Sequence, residues 1–289
     1  MASSGGIEPK IDMSQTTSKP ERPLLRYHGG KWMLGAWIIG HFPEHRVYVE
    51  PFGGAGSVLI QKPRSYGEVY NDLDGEVVNL FRVVRERGRE LIPLLELTPF
   101  SRDDYRASFE RNADPLEQAR RTIIRSFMGF GSNSLCRDVK SGFRSNSNRS
   151  GTTPAHDWRN YPDALVAIID RIRGVTIENK DACECMIQHD GKDTLHYCDP
   201  PYVHSTRSTA MHGNHGYAHE MDDADHERFS ECVNSLKGMV IVSGYGCELY
   251  DRIFQGWKRT ERTALADGAR ERTEVLWMRN VHQDGMLLL

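Results

Sequence analysis

Apolar and polar positions alternate with two different periods along this chain. Val47, Tyr48 and Val49 form a short run of β-formers that leads into Glu50, Pro51, Phe52 and the glycines Gly53, Gly54 and Gly56. The run predicts a strand, the glycines a turn that lets backbone approach a ligand, and Ser57 the cap of a following helix. The pattern then repeats. A strand ends at Tyr70, Asn71, Asp72 and Asp74 follow, and Val77, Leu80, Phe81 and Val84 form an apolar stripe at helical spacing. Two β-α units in succession predict a parallel sheet.

After Gly88 the pattern changes. Residues 90–128 read as helical, with Ser101 opening a polar helix and a further helix over 115–128. Residues 129–156 are poor in apolar residues and rich in Gly, Ser and Asn, which predicts a loop or exposed hairpin turning near Lys140–Gly142. Helical periodicity returns over 161–172, and a helix fits 222–236 with Asp222 as its cap. Strands fit 175–179, 194–198, 239–243 and 274–278. The expected architecture is one α/β domain over 24–88 and 173–289, interrupted by a helical and loop insertion at 89–172. Residues 1–23 are polar and rich in Ser, Gly, Thr and Pro, and read as a disordered leader.

Composition narrows the class. Hydrophobic residues make up 38% and charged residues 27%, and no apolar run approaches the ~18 residues of a membrane span. Six cysteines, none in a Cys-x-x-Cys pair, read as reduced thiols of a cytoplasmic protein. The net charge of −3 hides a local imbalance. Between Arg120 and Ser150 the basic residues are Arg120, Arg121, Arg125, Arg137, Lys140, Arg144 and Arg149, against the single acid Asp138. Such a segment is either a solvated charged face or the footprint expected for a phosphate backbone.

The candidate chemistry sits at predicted strand ends, where open α/β sheets bind ligands. "LHYCDPPY" (195–202) ends a strand in an acid, two prolines and an aromatic. Pro200 and Pro201 remove two backbone donors and fix their own φ, so the strand stops and the Asp199 and Pro200 carbonyls stay outside any helical ladder. With Tyr202 beside them, these acceptors suit a planar group carrying an NH₂; a plain Pro-Pro turn is the other reading. Asp72 follows the glycines by about 20 residues, the spacing at which an acid accepts from ribose hydroxyls, and it equally fits a helix N-cap. "LLRYHGGKWML" (24–34) fits either an anion site at a helix start or a plain turn.

Together, "RYHGGK", "VEPFGGAGS", "NDLD" and "YCDPPY" resemble, in order, the motifs of the Dam-like adenine-N6 DNA methyltransferases (D12 class, alpha group). Weaker matches are Asp181 in "ENKDA", "NSLCR" at 133–137 and "RTEVLW" at 272–277. The resemblance spans roughly 24–280. It implies a Rossmann-like S-adenosylmethionine-dependent enzyme with an inserted helical and β-hairpin DNA-recognition domain, acting on double-stranded DNA as a monomer or homodimer. By resemblance, Tyr27 and Lys31 hold the cofactor, with Lys31 near its carboxylate. Pro51, Phe52, Gly53, Gly54 and Gly56 wrap its methionine side, Asp72 takes the ribose hydroxyls, and Asp181 lies near its adenine. Asp199, also beside the cofactor, and the Pro200 carbonyl accept from the target amino group. Pro201 stiffens that turn, and Tyr202 stacks on a target base flipped out of the duplex. Arg26, Asn133, Leu135 and Arg137 match positions near DNA bases, and Arg125, Lys140, Arg144 and Arg149 complete the expected DNA surface. Ser132 stands where the family pattern has an aromatic, and Asp138 and Val139 replace polar partners, so a GATC target is not implied.

Two other classes differ in what they predict. A protein glutamine methyltransferase calls for Asn at position 199 and no basic insertion. A non-catalytic DNA-binding regulator calls for eroded cofactor residues, which are intact here. His212, His215 and His219 have zinc-like spacing, but Gly213 and Gly216 disfavour the helix that would align them, and no metal is expected. A mobile loop closing over the site is the preferred reading of that stretch.

Overall fold

The computed structural model describes residues 19–27, 29–131, 141–146, 148, 151–206, 219–266 and 270–281. One sheet runs through it. Strands β1 (Val47–Glu50), β2 (Gly67–Asn71), β3 (Thr176–Glu178), β4 (Thr194–Cys198) and β5 (Met239–Tyr245) are parallel. Beyond β5, β6 (Lys258–Ala266) and β7 (Arg270–Arg279) form an antiparallel pair, with β7 joined to β5. The spatial order is β3-β2-β1-β4-β5-β7-β6. The chain moves outward from β1 to β3 and then returns to the other flank of β1 with β4. The order therefore reverses between β1 and β4, which opens a crevice at their carboxyl ends.

Side-chain alternation builds a core on each face. Tyr197, Ile241, Leu276 and Met278 face one apolar cluster, while Cys198, Val240, Val242, Val275 and Trp277 face the other. The first is covered by α1 (Gly35–Ile39), α2 (Ser57–Gln61), α3 (Gly75–Glu96), α4 (Arg102–Ala107), α5 (Pro115–Met128), α6 (Pro154–Arg159) and α7 (Tyr161–Ile172). The second is covered by α8 (Ala182–Gln188), α9 (Asp223–Ser235) and α10 (Glu248–Ile253). The fold is mixed α/β, with a mostly parallel seven-stranded sheet covered by helices on both faces, as expected.

Several local expectations change. Ser57 does not cap α2; Gly56 is the N-cap, at φ 60°, and Ser57 is the first helical residue. Ser101 and Asp222 do cap their helices, the latter in a reciprocal capping box with Asp225. The boundary at 88 falls inside α3, which continues through a kink at Arg87 (φ −128°, ψ 19°). Leu91, Leu95, Ile123 and Leu165 belong to the same buried cluster as Tyr48 and Tyr70 of the sheet, so the helices of 89–172 are built onto that core. The loop after α5 is closed at its base, where Phe130 N–H donates to Gly142 O (2.7 Å) and Arg144 N–H to Met128 O (2.8 Å). Gly142 thus lies at the loop's base and not in its turn. Among the described residues no helix is long and apolar enough to cross a membrane, and no cluster of His, Cys, Asp and Glu is placed to hold a metal.

Candidate active site

The turn after β1 is shaped by glycine. Gly53 N–H donates to Asn71 O at 2.8 Å, tying the turn to the end of β2. A Cβ on Gly53 would overlap the Tyr70 ring, which is locked by stacking on Phe81 at 3.9 Å and by donating to Gly54 O at 2.7 Å. Gly54 sits at φ 47°, and a Cβ there would come within 2.9 Å of the Tyr27 ring. Bare backbone therefore lines this wall, as a closely held ligand requires.

Asp72, at the end of β2, accepts from Gly54 N–H (2.7 Å) on one carboxylate oxygen and from Asp74 N–H (2.8 Å) on the other. Each oxygen retains lone-pair capacity for a further donor. The N-cap of α3 is Asp74, which accepts from Glu76 N–H at 2.9 Å; Asp72 is therefore not the helix cap. Burial pushes the Asp72 carboxyl up from 3.8 to about 6, against the lowering effect of those two amides. Asp181 caps α8 through Cys183 N–H (2.8 Å) and Glu184 N–H (3.2 Å). Burial works to raise its carboxyl, but Arg228 at 3.1 Å and the helix amides hold it below the usual range. Glu50 ends β1, accepts from Tyr48 O–H (2.6 Å) and Leu59 N–H (2.9 Å), and is lifted by burial to about 8.

Asp199 follows β4 directly. Lys31 Nζ donates to its carboxylate, lying 2.8 Å from Oδ1 and 2.9 Å from Oδ2, and Ser243 O–H donates to Oδ1 at 2.8 Å. Lys31 also donates to Gly29 O (2.9 Å) and stands 4.7 Å from the centre of the Tyr202 ring. Tyr202 is buried; its hydroxyl donates to Glu274 Oε1 at 2.6 Å and its ring meets Tyr245 edge-on. The Pro200 carbonyl accepts no hydrogen bond among the described residues.

These strand ends surround one open cleft with a cavity volume of about 180 Å³. Tyr27, Lys31, Pro51, Phe52, Gly53, Gly54, Asp72, Asp181, Asp199 and Pro201 all line it. Gly56 lies behind the wall, where a Cβ would come within 2.7 Å of Phe81. Lys31, expected near a cofactor carboxylate, is engaged with Asp199. Ser243, in an apolar run, gave no sequence signal for its place at the site, whereas Glu274 lay within a motif noted only for its resemblance.

The family described as D12 class N6 adenine-specific DNA methyltransferase matches residues 27–267. The chain belongs to that family. It is 26% identical to a DNA adenine methylase of Haemophilus influenzae over 259 residues, covering 82% of this chain and 84% of that protein. It is 26% identical to a DNA adenine methylase of Escherichia coli over 211 residues (68% and 71% of the two chains). A DNA adenine methylase of Vibrio cholerae is 24% identical over 270 residues (87% and 92%).

Within this methyltransferase the expected DNA surface divides. Asn133, Leu135, Arg137, Lys140 and Arg149 lie outside the described residues. The backbone of Arg26 is clasped by the Ser126 hydroxyl, which accepts from its N–H (2.7 Å) and donates to its carbonyl (3.0 Å). Arg144 is half-buried and donates to Phe127 O at 3.0 Å. Arg125 does not belong to that surface. Its side chain is 0% exposed and pairs with Glu76 and the Ser108 carbonyl, so it joins α5 to α3 and cannot meet a phosphate.

Proposed function

We propose that this adenine-specific DNA methyltransferase uses S-adenosylmethionine to methylate N6 of an adenine flipped out of a short double-stranded site, in the cytoplasm of its host. The observation that carries the reading is the pair of acceptors after β4, Asp199 and the Pro200 carbonyl, at the point where strand order reverses and beside a cleft that Asp72 and Asp181 also line. The residues fit the cofactor: a side-chain-free glycine wall and spare acceptor capacity on Asp72, both lining the cleft, support it. When bound, S-adenosylmethionine supplies an electrophilic methyl group on a sulfonium.

The chain's own contribution is positioning. The adenine amino nitrogen is a weak nucleophile because its lone pair is delocalised into the ring. Two acceptors fixed by Pro200 and Pro201 hold both of its N–H groups, favour a tetrahedral nitrogen and free that lone pair. Tyr202 is buried beneath Lys31 in the present arrangement, so stacking of the target base on its ring requires that cover to move.

Expression in cells lacking adenine methylation, followed by long-read mapping of plasmid DNA, tests this. Wild type should leave N6-methyladenine at one short motif. Folded Asp199→Ala should lose at least about a hundredfold in turnover. Unmodified plasmid from cells containing folded, cofactor-binding wild type would rule the activity out.

A further inference from the structure

The Asp199 carboxylate is held by a cation that its work requires it to release. Both of its oxygens face the Lys31 ammonium, at 2.8 and 2.9 Å, and Ser243 takes a further place on Oδ1. A target amino group must compete with that ammonium, and a charge-assisted bond is the stronger of the two. Lys31 is only 5% exposed, so it cannot retreat into water, and a buried ammonium without a counter-charge is strongly disfavoured.

Glu274 supplies a second counter-charge. It lies on β7 opposite Tyr245 of β5, is 4% exposed, and places Oε1 3.8 Å from Lys31 Nζ. Among the described residues, Asp199 and Glu274 are the two carboxylates within 4.0 Å of that ammonium. A movement of about 1 Å would bring Nζ from its present separation to ion-pair contact. The same Glu274 oxygen receives the Tyr202 hydroxyl, so the second seat is itself fixed in place.

We propose that Glu274 is a positioning residue that takes over the Lys31 ammonium when the target amino group engages Asp199, leaving the Asp199 carboxylate as an unshared acceptor. The proposal rests on the role given to Asp199 above. No covalent bond changes, and the charge of the cluster is conserved; only the partner of the ammonium differs.

Glu274→Gln isolates the charge, because its amide oxygen can still accept from Tyr202. In single-turnover methylation with saturating S-adenosylmethionine and duplex DNA, its rate should fall at least about tenfold, with both dissociation constants within about threefold of wild type. Glu274→Asp should recover part of the rate. A Glu274→Gln rate within about twofold of wild type would overturn the proposal. A second measurement does not depend on activity. The thermal-stability coupling between Lys31→Met and Glu274→Gln is measured in the native and Asp199→Asn backgrounds, using variants that melt cooperatively. The coupling should increase when Asp199 can no longer hold the ammonium; equal coupling in both backgrounds would overturn the hand-over. If wild type methylates no adenine, the proposed function fails, and this cycle still decides whether Glu274 seats Lys31.

Discussion

Asp72 and Asp181 occupy neighbouring strand ends with opposite electrostatics. Asp181 has Arg228 beside it, whereas burial of Asp72 is offset mainly by two backbone amides, with a smaller contribution from His219, and its carboxyl rises to about 6. Because that value lies above the ordinary 3.8, the folded chain holds this proton more tightly than the unfolded chain does. The contribution of Asp72 to stability is therefore full below the unfolded value and is lost as pH rises through about 6. On the proposed function cofactor binding runs the other way, because the ionised carboxylate is the form that would accept from two ribose hydroxyls. Calorimetry should show S-adenosylmethionine binding weakening as pH falls through about 6, by up to about 1.5–3 kcal/mol for each charge-assisted bond. Asp72→Asn should bind weakly and flatten that dependence. A folded Asp72→Asn with wild-type affinity and pH profile would leave Asp72 as a brace for the glycine turn alone.

Elements were read from the sequence where one face is buried and the period is clear. The helix predicted over 115–128 is α5 residue for residue, and the strands at 194–198 and 239–243 lie on the buried centre of the sheet. The edge strand β6 was missed because Lys258, Arg259, Glu261 and Arg262 give no apolar alternation, and charge of this kind suits an edge that must avoid further pairing. The short helix α8 was missed because it holds too few turns to show a period. Arg125 marks a different limit: a basic residue on an amphipathic helix looks solvent-facing until the neighbouring helix brings Glu76 to it. Its guanidinium has no solvent exposure, whereas the Glu76 side chain retains 23%, so removing Glu76 leaves the less hydrated partner stranded. Glu76→Ala should cost about 3 kcal/mol in urea denaturation, near the lower end for breaking a buried pair because water can reach the vacated site. Unchanged stability would mean that α3 and α5 do not depend on this tie.

Across the whole molecule, the parallel sheet and the strand end that carries Asp199 were legible in the sequence, but the reversal of strand order was not, since no local pattern says on which flank of β1 the chain returns. Charge was harder still. The basic window from 120 to 150 omitted the acids that the fold brings to it. Arg120 and Arg121 pair with Glu117 at 2.7 and 2.8 Å, one turn back on α5, and Arg125 pairs with Glu76 on α3. Three of the seven basic residues are thus paired with acids of the protein, two of them sharing Glu117, and the expected DNA footprint contracts towards the loop after α5 and Arg144. This makes the salt dependence of DNA binding a test of the folded charge map. Lys140→Gln and Arg149→Gln should each lower the log–log salt slope by about one, weakening all sequences alike, while Arg120→Gln and Arg121→Gln leave it unchanged. Arg137→Ala should behave differently from both groups. If it reads a guanine edge, it should relax preference at one base pair by about 1–3 kcal/mol, measured as methylation rates on single-base variants at two salt concentrations. A uniform loss across those variants would put Arg137 on the phosphate backbone and move base reading to Arg26 or Asn133. A reduced slope for the Arg120 or Arg121 variants would mean that DNA draws these side chains away from Glu117.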